Sequence, residues 1–128
     1  MYKFKNKRGL TFIEILVTVM ILAGAIGGTL MLLSASMFSS QYAWDTTVAT
    51  SHAQHILEEM QLRESSLDIV YTNWDQWLKE DEMDLLPQEE IVVDIVDENS
   101  VPLDITVNVN WKRSKRKGTV ALTTQMSK

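Results

Sequence analysis

The sequence predicts an α+β protein in which one long N-terminal helix packs on a small three-stranded antiparallel sheet. Two observations predict this fold class. Residues 15–44 carry no charged side chain, a run of 30 residues that is apolar over most of its length. Near the C-terminus, apolar and polar residues alternate from Val101 to Lys112, which is the period of a half-buried strand. A chain of 128 residues has room for one small domain around these elements.

The charge is divided unevenly along the chain. The formal net charge is −5, and the first nine residues contribute +4 of it through three lysines and one arginine, so the remainder carries −9. Cysteine is absent. The composition therefore excludes disulfides, thiolate metal sites and thiol nucleophiles.

The first half of the predicted helix is apolar enough to cross a membrane. Residues 10–33 contain 17 apolar side chains out of 24, and a helix of that length spans roughly 36 Å, against about 30 Å of hydrocarbon. The cationic flank predicts residues 1–9 in the cytoplasm and the C-terminal part outside it. A secretory signal peptide has the same charge layout, but its small-residue cleavage site is hard to place here.

The helical pattern continues beyond the apolar run, and the predicted helix extends from about Leu10 to Arg63. Its second half is amphipathic, with apolar residues at helical spacing: Ala49, Ala53, Ile56, Leu57 and Met60. We divide the chain into a leader (1–9), a membrane helix (10–35) and an outer domain (36–128). Within the outer domain, 36–63 is the amphipathic helix, 64–90 a connecting region with a short helix near Trp74 to Lys79, and 91–126 the sheet.

Three strands are expected in the last third of the chain. Ile91, Val93 and Ile95 indicate the first strand, and a turn at Glu98 to Ser100 leads to the second. The second is the surest, with inward residues Val101, Leu103, Ile105, Val107, Val109 and Trp111. The third comprises Val120, Leu122, Thr124 and Met126, after a loop that ends at Gly118. The result is an antiparallel meander.

A compact motif stands directly before the apolar run: Lys7-Arg8-Gly9-Leu10-Thr11-Phe12-Ile13-Glu14. With its basic leader ending in glycine, its glutamate five residues later and its apolar helix, the chain resembles a type IV pilin or type II secretion pseudopilin. The small outer domain resembles most closely that of a minor, I-type pseudopilin or minor pilin. The resemblance implies the pilin fold and a structural subunit of a filament, with no enzymatic activity.

The resemblance also implies processing and partners. A prepilin peptidase would cut between Gly9 and Leu10, and the new amine of Leu10 is commonly N-methylated in this family. Leu10 departs from the usual first residue, phenylalanine or methionine, which bears more on methylation than on cleavage. Further implied partners are other pilin or pseudopilin subunits and the assembly platform of the inner membrane. The protein would begin as a single-pass inner-membrane protein and then enter the filament.

Glu14 is the residue with the clearest physical argument. A charged side chain at the centre of a membrane helix costs about 2.5–3.5 kcal/mol on insertion scales, and less near the interface. The resemblance implies that Glu14 pairs with the Leu10 amine of a neighbouring subunit, which neutralises both charges. The alternative is an interfacial glutamate that reaches the lipid headgroups.

Other features leave alternatives open. Gly24, Gly27 and Gly28 allow either close helix packing or local loosening of the helix. The five cations of the hairpin tip form a solvated loop, a contact for a neighbour's acidic face, or a DNA-binding patch; they are Lys112, Arg113, Lys115, Arg116 and Lys117. A competing class of protein is an anchored binding module whose leader is never cleaved.

The sequence does not favour a metal, a cofactor or catalysis. The acidic run from Glu80 to Asp84 lacks the alternating ligand spacing of a calcium loop. His52 and His55 share a helix face but have no acidic residue nearer in sequence than Asp45 or Glu58 to complete a ligand set. Ser, His and Asp occur without the glycine elbow of a hydrolase. Trp74 and Trp77 are interpreted as packing aromatics.

Overall fold

The computed structural model describes residues 11–81, 83–97 and 101–127. The elements in chain order are α1 (Phe12–Leu62), α2 (Ser66–Tyr71), α3 (Trp74–Glu80), β1 (Glu90–Ile95), β2 (Leu103–Arg113) and β3 (Arg116–Met126). The predicted α+β class, one long helix followed by a three-stranded antiparallel sheet, is confirmed. The chain divides into two compact units, the first ending at Ser40 and the second beginning at Gln41, so α1 contributes residues to both.

Helix α1 is continuous over 51 residues. No proline interrupts it, and several of its Thr and Ser hydroxyls donate to the carbonyl four residues earlier instead of competing for the helix's N–H groups. The helix ends at Leu62, one residue before the predicted end at Arg63. The helix begins at Phe12, two residues after the predicted start at about Leu10.

The core of the second unit forms between α1 and the sheet. Ala49, Ala53, Ile56 and Met60 are fully buried, and their spacing of four, three and four residues places them on one helix face. They belong to one apolar cluster with the inward residues of the sheet. Leu57, at the margin of the same stripe, is partly buried. The predicted amphipathic stripe is therefore the core face.

The sheet has the order β1-β2-β3, with both pairs antiparallel. The inward residues of β2 are buried in strict alternation from Leu103 to Trp111, as the sequence predicts. Val101 differs from the prediction. It precedes the strand and is 72% exposed, because the pairing of β2 with β3 begins at Leu103. The predicted turn at residues 98–100 lies outside the described residues.

The β2–β3 hairpin turns earlier than the sequence predicts. Ser114 and Lys115 form a two-residue turn in which Ser114 has a φ of 56°, the left-handed conformation that such tight turns use. Strand β3 therefore starts at Arg116, and Gly118 lies inside the strand. A Cβ at Gly118 would lie 2.2 Å from the indole ring of Trp111, its partner across the ladder. The glycine is needed to make room for the ring.

The connecting region contains two short helices. The predicted helix α3 is present, and the Asn73 side chain caps it by accepting a hydrogen bond from the N–H of Gln76 at 3.2 Å. Helix α2 was not predicted. It is six residues long and begins after Ser65, whose hydroxyl accepts from the N–H of Leu67 at 3.3 Å. A helix this short has too few residues to show a helical period.

Candidate assembly surface

The first unit presents an apolar helix without cover. Every residue from Thr11 to Ser40 is exposed, including Phe12 at 81% and Met31 at 79%. By length and composition, α1 is apolar enough to cross a membrane. Burying apolar surface stabilises by roughly 25 cal/mol per Å², and contiguous exposed patches beyond a few hundred Å² mark interaction or membrane sites. We define the exposed face of residues 12–40 as the candidate assembly surface.

Glu14 is the single charged residue of this surface. It lies in the first turn of α1, where the helix dipole favours a negative charge. The N–H of Thr11 donates to its carboxylate over 3.5 Å, and the hydroxyl of Thr18 donates to its backbone carbonyl at 2.7 Å. Among the described residues, no lysine, arginine or histidine pairs with the Glu14 carboxylate. Within the part of the chain that the structure describes, the charge therefore stands at the start of an apolar helix without a cation beside it.

The candidate assembly surface also contains hydroxyl side chains and three glycines. The hydroxyls of Thr29 and Ser34 donate to helix carbonyls at 2.8 and 3.0 Å, so neither hydrogen is left for an outside acceptor. At Gly24, Gly27 and Gly28 an added Cβ would meet nothing within 4 Å. The helix is regular through all three glycines. Both interpretations of the glycines, close packing and local loosening, stay predictions.

Gly9 and Leu10 lie outside the described residues. Their expected roles in cleavage and N-methylation, and the expected pairing of the Leu10 amine with Glu14, therefore stay predictions. The basic leader before them also lies outside that part of the chain.

Arg113, one of the five cations of the predicted tip, has an internal partner. Its Nε and Nη2 donate to the two carboxylate oxygens of Asp45, each over 3.0 Å. The Asp45 side chain is 4% exposed, whereas that of Arg113 is 40% exposed. This bidentate ion pair attaches the sheet to α1. The two residues are 68 positions apart, so no local sequence pattern predicts the pair.

The other cations of the run flank the hairpin turn. Lys115 lies in the turn, and the two strands on either side place Lys112 opposite Lys117 and Arg113 opposite Arg116. Like charges directly across a ladder are unfavourable. The end of the hairpin is therefore a concentrated positive surface, of which Arg113 is compensated by Asp45.

The two histidines of α1 each meet a different carboxylate. Nδ1 of His52 lies 2.7 Å from Oε1 of Glu89, and both side chains are buried. Nε2 of His55 lies 2.9 Å from Oδ2 of Asp81 near the surface. The described residues hold no group of three or more side chains able to bind a metal ion. The acidic partners come from the connecting region, so residue spacing alone did not reveal them.

Glu89 also closes the loop before β1. Its second oxygen accepts a hydrogen bond from the N–H of Leu86 at 2.6 Å. One buried carboxylate thus joins α1 to the chain entering the sheet. Such a buried group is tolerated because both oxygens have donors or a histidine nitrogen beside them.

Asp75 links α3 to the edge of the sheet. Its Oδ1 accepts from the N–H of Ile91 at 3.0 Å, and its Oδ2 accepts from Lys79. Partial burial acts to raise the pKa of Asp75, but these hydrogen bonds and the charge of Lys79 outweigh it, and the net pKa is lowered. The ionised carboxylate is therefore the form that holds α3 on β1.

The tryptophans of α3 pack as predicted. Trp74 and Trp77 meet edge to face with their centroids 5.6 Å apart. Trp74 is buried, and its indole N–H donates to the carbonyl of Ile69 at 2.9 Å. This contact attaches the unpredicted helix α2 to α3.

The fold and the uncovered helix define a class: α+β proteins with a long apolar N-terminal helix that is long enough to serve as a membrane anchor. Comparisons with protein-family models, with curated proteins and with solved structures find no match to the chain.

Proposed function

We propose that this protein is a prepilin, a structural subunit of a type IV pilus or a type II secretion pseudopilus. Its work is assembly rather than catalysis. In this proposal a prepilin peptidase removes residues 1–9 and the chain then moves from the inner membrane into a filament. The outer domain lies outside the cytoplasm throughout.

The observation that carries the proposal is the candidate assembly surface. An apolar helix exposed on every side over residues 12–40 needs lipid around it, or several copies of a similar helix. A filament subunit exchanges the first environment for the second. A secretory signal peptide would be removed, and a simple anchor would need no carboxylate at the start of its apolar run.

The Glu14 carboxylate, which has no cationic partner among residues 11–81, 83–97 and 101–127, supports the same proposal. Cleavage after Gly9 would create an ammonium on Leu10, four residues before Glu14. The chain has no Lys, Arg or His between Arg8 and His52. The Leu10 amine of a neighbouring subunit is therefore the nearest cation that could pair with Glu14. Pairing of the two groups would remove both charges from the apolar filament core and fix how far one copy is shifted along the next.

The small outer domain supports a minor subunit that starts or caps the filament. The second unit holds 88 residues, from Gln41 to Lys128, and no cysteine closes a C-terminal loop. This finer assignment follows from the sequence resemblance and not from the surface.

The experiment compares the mature chain with Glu14 variants in cells that carry a prepilin peptidase and a filament system. Mass spectrometry of the wild-type protein should find Leu10 as the first residue. Glu14→Ala and Glu14→Gln should be processed equally well but be lost from sheared filaments, because neither offers a negative charge. Glu14→Asp keeps the charge and should retain part of the incorporation.

Glu58→Ala is the matched control, since it removes an exposed acidic side chain from the part of α1 that belongs to the second unit. It should enter filaments normally. An intact Met1 in the wild-type protein would contradict the proposal and favour the anchored binding module. Normal incorporation of Glu14→Ala would contradict the pairing role.

A further inference from the structure

Strand β3 is an edge strand with a free outer side. Directly after β1, the N–H of Val96 donates to the carbonyl of Asp104, and by strand alternation the even-numbered residues of β1 bond to β2. Since the even-numbered residues of β2 bond to β1, its odd-numbered residues bond to the even-numbered residues of β3. The backbone groups of the odd-numbered residues of β3 therefore point away from β2. These residues are Lys117, Thr119, Ala121, Thr123 and Gln125. Within the described residues no hydrogen bond occupies their outward backbone groups, although the side chains of Thr119 and Thr123 bond to β2.

Proteins usually protect such an edge with proline, inward charges, bulges or a very short strand. Strand β3 is 11 residues long and has no proline. After Lys117 it carries no charge through Met126. Its free side is thus suited to pairing with another strand.

The opposite edge of the sheet, β1, is closed at one end and open at the other. The N–H of Ile91 is taken by Asp75, and the same alternation directs the backbone groups of Val93 and Ile95 outward. Beside them lies a groove of about 260 Å³ between β1 and α2, lined in part by Ile69 and Val70. Within the described residues no hydrogen bond occupies the outward groups of Val93 and Ile95.

The two edges differ in charge. The groove edge carries Glu90 and Asp94, with Asp68 on the adjoining helix α2, whereas the charge of Asp75 is compensated by Lys79. The β3 edge begins with Arg116 and Lys117 and has no acidic residue in the strand. An acidic start of β1 and a basic start of β3 attract each other when the two strands run parallel.

We propose that the β3 edge of one copy pairs with the β1 edge of a second copy, in parallel, so that the three-stranded sheets join into a continuous one. This inference rests on the proposed filament function with consecutive copies of this chain, an arrangement that a single capping subunit would not provide, and it adds a contact between outer domains. Because the two edges are different surfaces, the contact is heterologous and repeats from copy to copy in one direction, as a filament requires.

The backbone groups fix the register. With Thr119 opposite Val92 and Ala121 opposite Asp94, the N–H of Thr119 donates to the carbonyl of Ile91 and that of Ala121 to the carbonyl of Val93. The N–H groups of Val93 and Ile95 donate back to the carbonyls of Thr119 and Ala121. The bonded N–H of Ile91 is not needed, so Asp75 keeps its partner.

The same register matches the side chains on both faces. On the core face it brings Val120 beside Val93 and Leu122 beside Ile95, four residues that are only partly buried in one copy. On the outer face it directs the long Lys117 side chain toward Glu90, past the Asp75 carboxylate that lies beside Ile91 at this end of the edge. Apolar pairs and an opposite-charge pair on neighbouring strands each stabilise a sheet.

The test uses disulfide formation between full-length copies. Because the chain has no cysteine of its own, only the introduced cysteines can form disulfides between copies. A chain carrying both Val92→Cys and Thr119→Cys is expressed with the filament system and treated with a mild oxidant. Neighbouring strands place opposite Cα atoms about 5 Å apart, within the range of a disulfide. We expect a ladder of reducible dimers, trimers and longer chains, because each copy offers both edges.

The matched control is Val92→Cys with Thr123→Cys. Thr123 is an exposed threonine on the same face of the same strand, but in the proposed register it lies four residues from the position opposite Val92, roughly 13 Å along the strand. This chain should form no ladder. Tryptophan fluorescence of each variant checks that the domain is folded.

A second measurement tests the charge pair within the double-cysteine chain. Lys117→Glu places like charges opposite Glu90 and should reduce the ladder by roughly fivefold. Adding Glu90→Lys restores opposite charges and should restore the ladder.

Three outcomes would overturn the contact: no ladder from the folded Val92 and Thr119 double variant, an equal ladder from the Thr123 control, or disulfide dimers from Thr119→Cys alone. The last would mean that two β3 edges meet. If the ladder fails while the chain still enters filaments, the proposed function stands without this contact. If the ladder forms while the chain is never processed or assembled, the contact stands and the proposed function fails.

Discussion

The two parts of helix α1 differ in what covers them. Up to Leu33 the helix is largely apolar on all sides, and every residue from Thr11 to Ser40 is exposed. From Gln41 onward it is amphipathic, and one face is buried against the sheet of the same chain. One packing partner is enough to bury a single apolar stripe, and here the sheet of the same chain is that partner. A helix apolar all round needs cover from several directions, which one small domain cannot give.

The glycines show the same difference. Gly118 is in the packed unit, where a Cβ would overlap the Trp111 ring. Gly24 is in the uncovered part, where a Cβ would meet nothing. Packing therefore requires a glycine at position 118, whereas no packing contact within the chain requires one at position 24.

The largest expected effect comes from truncating isoleucine in the two parts. Ile56 is fully buried and Ile21 is 68% exposed. Ile56→Ala should lower the free energy of unfolding of the outer domain by about 2–5 kcal/mol, through lost burial and a cavity. Ile21→Ala should change it by less than about 0.5 kcal/mol. Chemical denaturation of the full chain in detergent, followed by tryptophan fluorescence, measures both; equal losses would contradict the division.

A glycine pair sharpens the comparison at intermediate size. Gly118→Ala forces the Trp111 ring to move and should cost about 1–3 kcal/mol of unfolding free energy. Gly24→Ala should leave the unfolding of the outer domain unchanged, while favouring the helix locally by up to about 1 kcal/mol. Thermal unfolding compares them. In a Trp111→Leu background the Gly118→Ala change should cost less than it does in the wild type, and an equal cost in both backgrounds would contradict the steric explanation.

The smallest expected effect concerns Asp75 and acid. Because its pKa is lowered on folding, its carboxylate stabilises the fold fully above the unfolded value of about 3.9, and this contribution is lost as the pH falls through the folded pKa. The difference in unfolding free energy between wild type and Asp75→Asn should be at most about 1 kcal/mol at pH 7. It should shrink below pH 4. Denaturation at pH 7, 5 and 3 checks the sign, with Asp68→Asn as the control; a difference that grows in acid would contradict it.

Much of the fold follows from local patterns. The alternation from Leu103 to Trp111 predicts β2 because side chains of a strand point to opposite faces by turns. The spacing of Ala49, Ala53 and Ile56 predicts the buried helix face for the corresponding reason in a helix. These patterns involve neighbours in sequence, so they are visible without the fold.

Contacts between distant residues were not visible. Arg113 belongs to a basic run that the sequence alone leaves open to solvent, a neighbour or DNA, yet it binds Asp45. His52 finds its carboxylate at Glu89, 37 residues away. The turn at Ser114 was missed because glycine usually marks such a turn, and the nearby Gly118 is there for Trp111 instead.

The sequence by itself determined the composition of each element: an apolar helix whose single charge is one early glutamate, an amphipathic continuation and alternating strands. The tertiary structure decided which of those surfaces are covered. Burial depends on what the folded chain brings together, and here it brings the sheet to the second part of α1, forms the Asp45–Arg113 and His52–Glu89 pairs there, and leaves residues 12–40 exposed.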